Sequence, residues 1–291
     1  MSLETTRRFF LASAVASGAG LYSRLLFAMP VTKPSNEESP GGFRYLYEAG
    51  SPFSIGVSAL AGNRLVRVRL QEPIPIETGL DLVACHLARL GRPLSALAGL
   101  ELRAPSVMSR PQFSHFNENY LAALRARGFT ADRTVPIARS NMVPQFDPPA
   151  THVLSAFTYA VPDESPQADG PDFLMSGRPE FDENHVVAPG DVSTDGMRRK
   201  ANFVLMQLRQ GVADLGGRLS SITGIQIYMT QPLTSVMEVM RDAGLTRFGL
   251  TLISGSAPVI GFDGVPYEFE ADLRCISFER VIRPGETCAG R

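Results

Sequence analysis

The sequence predicts an α+β fold of two related halves, each a mixed sheet with two helices packed on one face. Three observations carry that expectation. A thirteen-residue stretch recurs at an offset of 125 residues: Leu90 to Leu102 reads LGRPLSALAGLEL and Leu215 to Ile227 reads LGGRLSSITGIQI, with five identities and three Leu-to-Ile exchanges. Repetition of this kind marks a duplicated structural unit. Each copy follows an amphipathic helical run and enters an alternating one, so the repeated piece is helix–turn–strand. Around both copies, runs of strands flank two interposed helices, the pattern of an α+β sheet.

In chain order, Thr6-Arg7-Arg8-Phe9-Phe10-Leu11 precedes a small-residue apolar stretch from Ala12 to Leu21. Paired arginines before such a stretch resemble a twin-arginine export signal, expected over residues 1–30 and directing the chain to the periplasm. Arg24 interrupts the apolar run, so the cleavage site stays open. The run is short for a spanning helix, and no membrane span is expected after signal removal. Residues 31–42, with Pro34, Ser35, Asn36, Ser39 and Pro40, read as a linker.

The first unit, 43–162, offers strand 64–70, helix 77–90 (apolar Leu80, Val83, Leu87 and Leu90), strand 97–104, helix 111–127 and strands 135–146 and 151–161. The second, 163–282, offers strand 173–176, helix 191–215, strand 222–230, helix 235–244 and strands 249–260 and 266–282. Both helices before the repeat end in glycine, as a left-handed C-cap favours. Residues 283–291 read as a flexible tail.

Composition excludes classes more than it selects one. The 291 residues are 44% hydrophobic, enough for full cores, and 28 basic against 29 acidic residues leave a net charge of -1. No global field favours nucleic acid or an anionic membrane. Three scattered cysteines support neither a disulfide framework nor a zinc ladder. His86, His115, His152 and His185 lack metal-binding spacing, so no metal site is expected. His152 alternates on a strand and could reach a pocket, although a structural histidine is the plainer reading. Arg64, Arg67 and Arg69 crowd one strand, either lining an anionic cleft or protecting an edge.

The motifs resemble the RidA/YjgF family of imine and enamine deaminases, in tandem. Ser51-Pro52-Phe53-Ser54 with Gly62-Asn63 is similar to its N-terminal hairpin, and Phe113 to Tyr120 to its F-x-x-x-N-x-x-Y helix. Ile137-Ala138-Arg139-Ser140 resembles its P-A-R-S strand. Asp172 to Gly177 resembles its strand ending in Ser-Gly, and Tyr267-Glu268-Phe269-Glu270-Ala271 its closing E-x-E-A strand. The resemblance implies a chorismate-mutase-like fold in each unit, no cofactor, and a homo-oligomer built on trimers with sites at subunit clefts. It makes Arg139 the anchor of a substrate carboxylate, a task suited to the forked guanidinium. Glu268 would orient or activate water. Asn117, Tyr120, Ser140, Asn141, Ser176 and Gly177 would line the substrate site.

The departures from the family pattern are as informative. Leu252-Ile253-Ser254 stands where the second unit should carry its arginine, and Val153-Leu154-Ser155 where the first should carry its glutamate. Phe53 replaces a common tyrosine, and Asn141 a common cysteine. Each unit lacks what the other keeps, which points either to one site shared between them or to drift after duplication. The leading expectation is a metal-independent deaminase of a small carboxylate-bearing imine or enamine, acting at an inter-domain or inter-subunit cleft. Two alternatives stay open: a chorismatase-like enzyme acting on a cyclic dicarboxylate, and a non-catalytic periplasmic binding or interaction protein.

Overall fold

A computed structural model describes residues 34–48, 51–130, 134–165, 170–181, 185–247, 250–261, 264–265 and 267–283. The expected signal at 1–30 and all but the first residue of the expected tail lie outside them. Three N-terminal strands come first: β1 (Ser35–Ser39), β2 (Phe43–Tyr47) and β3 (Ser54–Ala59). They are followed by β4 (Asn63–Pro75), α1 (Ile76–Arg89), β5 (Leu97–Arg103), α2 (Arg110–Ala126), β6 (Ala138–Pro144) and β7 (Val153–Pro162). The remainder is β8 (Phe173–Met175), β9 (Arg178–Pro179), α3 (Thr194–Asp214), β10 (Gly224–Tyr228), α4 (Met237–Asp242), β11 (Thr251–Ser256), β12 (Glu270–Cys275) and β13 (Phe278–Ile282).

Two four-strand blocks share one order and one set of directions. In β4-β7-β5-β6 and in β8-β12-β10-β11 the successive pairings are antiparallel, antiparallel and parallel. The parallel pairs need a crossover, which α2 and α4 provide. The blocks join where β6 meets β11 antiparallel at Val143–Ser256 and Pro144–Gly255. Glycine is required there, because a Cβ on Gly255 would lie 2.2 Å from Met142 Cε and 2.5 Å from the Val143 carbonyl oxygen.

Strands are exchanged at both ends. The β1–β3 meander extends the second block through β3–β8, whereas β13 leaves that block and pairs parallel with β4. Asp172 holds this crossing: its carboxylate accepts from the Leu65 N–H at 3.0 Å and the Ser277 N–H at 3.1 Å. The single strand expected over 266–282 is therefore two, broken where Ile276 and Ser277 bond to Thr223 and Asp172. The expected linker likewise contains β1, an edge strand paired with β2. The expected helix 235–244 begins as a 3-10 turn, Leu233–Val236, before the short α4.

Alternation along β5 explains the layering. Leu100 and Leu102 face the core under α1 and α2, with Leu80, Leu87, Leu124 and Phe157. The second block buries Val204, Leu208, Ile225, Ile227 and Leu273 in the same way beneath α3 and α4. Glu101 and Arg103 point to the opposite face, where the two blocks meet through polar groups. Arg103 donates to Gln226 Oε1 at 2.7 Å, and Gln226 Nε2 donates to Ser140 Oγ at 3.1 Å and to the Asp272 carboxylate at 3.1 Å. Arg67 closes this layer with a two-bond pair to Glu101 at 2.5 and 2.8 Å and a further bond to Glu279. Burial alone raises the Glu101 pKa, but Arg67 outweighs it and holds the carboxyl at about 2. Arg64 pairs with Asp163 and Arg69 lies 3.9 Å from Glu279, so the arginine trio is paired internally and lines no anionic cleft.

Candidate active site

The site forms where the α2 face of β6 meets the corner of β8, β9 and β12. Ser109 and Gln112 start α2 with a capping box, the Ser109 N–H donating to Gln112 Oε1 at 2.8 Å, and Pro111 suits the first turn. Phe113, Asn117 and Tyr120 then recur at helical spacing on the face above β6. Asn117 Oδ1 accepts from Arg139 Nη1 at 2.8 Å. Phe53 lies 4.2 Å from the guanidinium carbon, and the rings of Tyr120, Phe116 and Phe113 follow at 5.0, 5.7 and 5.9 Å. This aromatic surround favours a cation. Burial nonetheless lowers the Arg139 pKa. Among the described residues no carboxylate lies within ion-pair distance of Arg139, so its remaining donors are open to a ligand.

The second half clasps the same residue by its backbone. The Arg139 N–H donates to Ser176 Oγ at 3.1 Å, Ser176 Oγ donates to the Ser54 carbonyl at 2.8 Å, and the Gly177 N–H donates to the Arg139 carbonyl at 3.3 Å. Ser176 thus holds the strand rather than facing the cleft. Ser140, one residue beyond Arg139, points into the polar layer and accepts from Gln226.

Asn141 returns to the Arg139 face by strand alternation. Its carboxamide is 6% exposed, and neither Oδ1 nor Nδ2 has a hydrogen-bond partner. The Tyr120 hydroxyl is also buried without a partner, and burial raises its pKa to about 12. His152 stacks on Phe116 at 4.1 Å, its pKa lowered by burial and by Arg139. Buried polar groups left unpaired cost about 1–3 kcal/mol each, so several around one guanidinium mark a place for a ligand.

The glutamate at this cleft is Glu270. A Cβ on Gly177 would lie 2.2 Å from Glu270 Oε1, which shows how closely that carboxyl crosses the Gly177 backbone beside Arg139. Burial, then Glu180 and Asp272, push the Glu270 pKa up to about 8 against the pull of Arg139 and Arg178. Glu268 goes elsewhere. The chain bends before β12, the Glu268 and Phe269 N–H groups donate to the Glu180 carboxylate at 2.6 and 3.0 Å, and the Glu268 carboxylate meets buried Lys200 Nζ at 2.6 Å. The structure therefore brings Arg139, Asn117, Tyr120, Asn141 and Gly177 together, and leaves Glu268 and the Ser140 side chain outside. Glu270 stands in the same E-x-E-A motif, but alternation alone does not distinguish the two glutamates. The rings of Phe113 and Phe116 carried a sequence signal, since they share the helix of Asn117 and Tyr120.

No group of three or more His, Cys, Asp or Glu placed to hold a metal occurs among the described residues, nor is any helix among them long and apolar enough to cross a membrane.

The family model for 2-aminomuconate deaminase CnbZ matches residues 35–280. A 2-amino-5-chloromuconate deaminase from Comamonas testosteroni is 33% identical over 252 residues, covering 84% of this chain and 97% of the relative. Among solved structures, a chorismatase is similar at 12% identity and a TM-score of 0.41, covering 84% of this chain and 80% of its own. TdcF of E. coli with bound serine is similar at 15% identity and a TM-score of 0.29, covering 38% and 88%.

Proposed function

Because the chain belongs to the 2-aminomuconate deaminase CnbZ family, and is a deaminase of RidA/YjgF type, we propose that it hydrolyses a carboxylate-bearing enamine at a site shared by its two halves. One observation carries the reading: Arg139 of the first half, with open donors, lies beside Glu270 and Gly177 of the second. Arg139 takes the carboxylate next to the amine-bearing carbon, held in place by Asn117 and the surrounding rings.

Glu270 moves the protons. With its pKa near 8 it enters the reaction protonated at neutral pH. Its proton goes to the enamine carbon, whose π electrons form the new C–H bond while the nitrogen lone pair forms the C=N bond. Water then adds to the resulting iminium carbon, and the Glu270 carboxylate takes the proton that water releases. That proton passes to nitrogen, the C–N bond breaks as the C=O bond forms, and the hydroxyl proton returns to Glu270. The sum is enamine plus water giving ketone plus ammonia.

The test is ammonia release from 2-aminomuconate by the purified chain. Turnover that is lost in Arg139→Ala supports the reading. Binding without ammonia release supports a non-catalytic protein, and consumption of chorismate instead supports a chorismatase-like enzyme.

A further inference from the structure

We propose that Glu180 is the positioning residue of the reaction: its carboxylate fixes the bend that delivers Glu270 to the Gly177 backbone, and its charge faces the Glu270 carboxyl there. The proposal rests on the reading of Glu270 as the proton carrier and adds a residue that acts through it. Glu180 follows β9 directly, and in that pairing Pro179 stands opposite Glu270 and Arg178 opposite Ala271. The Glu180 N–H donates to the Phe269 carbonyl at 3.1 Å. Its carboxylate accepts from the Glu268 N–H at 2.6 Å and from the Phe269 N–H at 3.0 Å. Three bonds from one residue thus hold the two residues that lead into Glu270, and Glu180 is itself only 1% exposed.

Among the described residues no cation lies within hydrogen-bond distance of the Glu180 carboxylate. Lys200 Nζ stands 3.9 Å from Glu180 Oε1, but the Val187 and Ala188 carbonyls at 3.0 and 2.6 Å and the Glu268 carboxylate at 2.6 Å already claim it. Burying an acid beside other acids is costly, and such clusters gather at functional sites. Glu270 is faced by Glu180 and Asp272, by Arg139 and Arg178, and by the Tyr228 and Tyr267 side chains. Burial raises the Glu180 pKa to about 7, whereas burial together with Glu180 and Asp272 raises that of Glu270 to about 8. Glu180 therefore loses its proton first, and its charge keeps the Glu270 proton in place through neutral pH.

The test is Glu180→Gln, alone and combined with Glu270→Gln. Glutamine is the isostere of protonated Glu180, a form that wild type itself adopts below about pH 7, so the variant is expected to fold. In steady-state assays on 2-aminomuconate, the fall of kcat/KM near pH 8 is expected about one pH unit lower than in wild type. A limb at the wild-type pH overturns the proposal, whatever happens to kcat, since a merely structural role weakens turnover alike at every pH. Denaturant unfolding supplies a readout that needs no turnover. Between pH 5 and pH 9 the stabilisation by Glu270→Gln is expected to grow less in the Glu180→Gln background than in wild type. The difference is about 1.4 kcal/mol for a tenfold change in proton binding. Equal growth in the two backgrounds overturns the proposal. Wild type that releases no ammonia while the growth still differs defeats the deaminase reading and leaves the coupling of Glu180 to Glu270 standing. If Glu180→Gln gives no cooperative unfolding, Glu180→Asp takes its place, with its carboxylate one methylene further back. Limb and growth are then expected to shift the same way by about half as much, and unchanged values overturn the proposal.

Discussion

Arg139 and Leu252 occupy the same place in the two halves. In each half the strand before the crossover pairs parallel with the strand after it, matching Leu100 with Arg139 and Ile225 with Leu252, and Leu100 and Ile225 are partners in the sequence repeat. The glutamate shows the opposite bias. Arg103 lies across from Val153 in the first half, whereas Tyr228 lies across from Glu270 in the second. One half keeps the arginine and the other keeps the glutamate on which the proposed reaction relies. Around Arg139 stand four aromatic rings, three of them on a 17-residue helix and the fourth, Phe53, just before β3. Around Leu252, beside a helix of only six residues, Leu233, Met237, Met240, Leu245 and Leu250 line an open, mostly apolar groove of about 210 Å3. The two sets of losses complement each other at one cleft, whereas the other groove keeps only Arg247, whose guanidinium is taken up by the Gly244 and Ile222 carbonyls, which supports a single divided site per chain.

The sharpest break in that comparison comes from Arg139→Ala. Two charge-assisted hydrogen bonds at about 1.5–3 kcal/mol each set a loss in kcat/KM on the order of 10^3-fold. Steady-state kinetics on 2-aminomuconate measures it. Next is Glu270→Gln, expected to lower kcat on the order of 10^2-fold. Wild-type kcat/KM should decline as pH rises through about 8, where Glu270 loses its proton, and that limb should be absent in the variant.

The same group couples pH to stability. The folded protein holds the Glu270 proton more tightly than the unfolded chain, whose carboxyl sits at the ordinary 4.5. Its stabilising contribution is therefore complete below that value and is lost as pH rises through about 8. Glu180, raised to about 7 first by burial, and Asp272, raised to about 6 first by burial, act in the same direction and titrate with it as a coupled set. Thermal melting of Glu270→Gln should exceed wild type at pH 8, with the gap closing toward pH 5.

Glu268→Gln separates the two glutamates. It leaves buried Lys200 with the more distant Glu180 carboxylate, 3.9 Å away, and two backbone carbonyls, so stability should fall by about 3 kcal/mol in denaturant titrations. The limb near pH 8 should persist. The smallest effect belongs to the groove of the second half: Leu252→Ser, at 39% exposure, should change stability by about 0.5 kcal/mol or less and turnover hardly at all.

Much of this fold was legible because repetition and periodicity are local. The Leu90 and Leu215 stretches each lead from a helix through a turn into a strand, as their patterns suggest, and the Ala138-Arg139-Ser140 and Asn117 motifs marked two residues that the fold brings together. Pairing between distant strands has no such signature. Nothing in the alternation of β13 says that it leaves its own half for β4, or that β3 joins β8. The choice between Glu268 and Glu270 turned on a bend held by Glu180, a residue 88 positions from Glu268. The importance of Asn141 lies in the partners it lacks, which only the packed structure reveals.

The most direct test mixes the two defects. Arg139→Ala and Glu270→Gln chains are inactivated singly, then unfolded together, refolded and assayed for ammonia release from 2-aminomuconate. The account predicts that the mixture stays as inactive as its parents, because the Arg139 and Glu270 of one cleft belong to one chain. Substantial recovery of activity in the mixture would contradict it, since a complete site would then be assembled between chains.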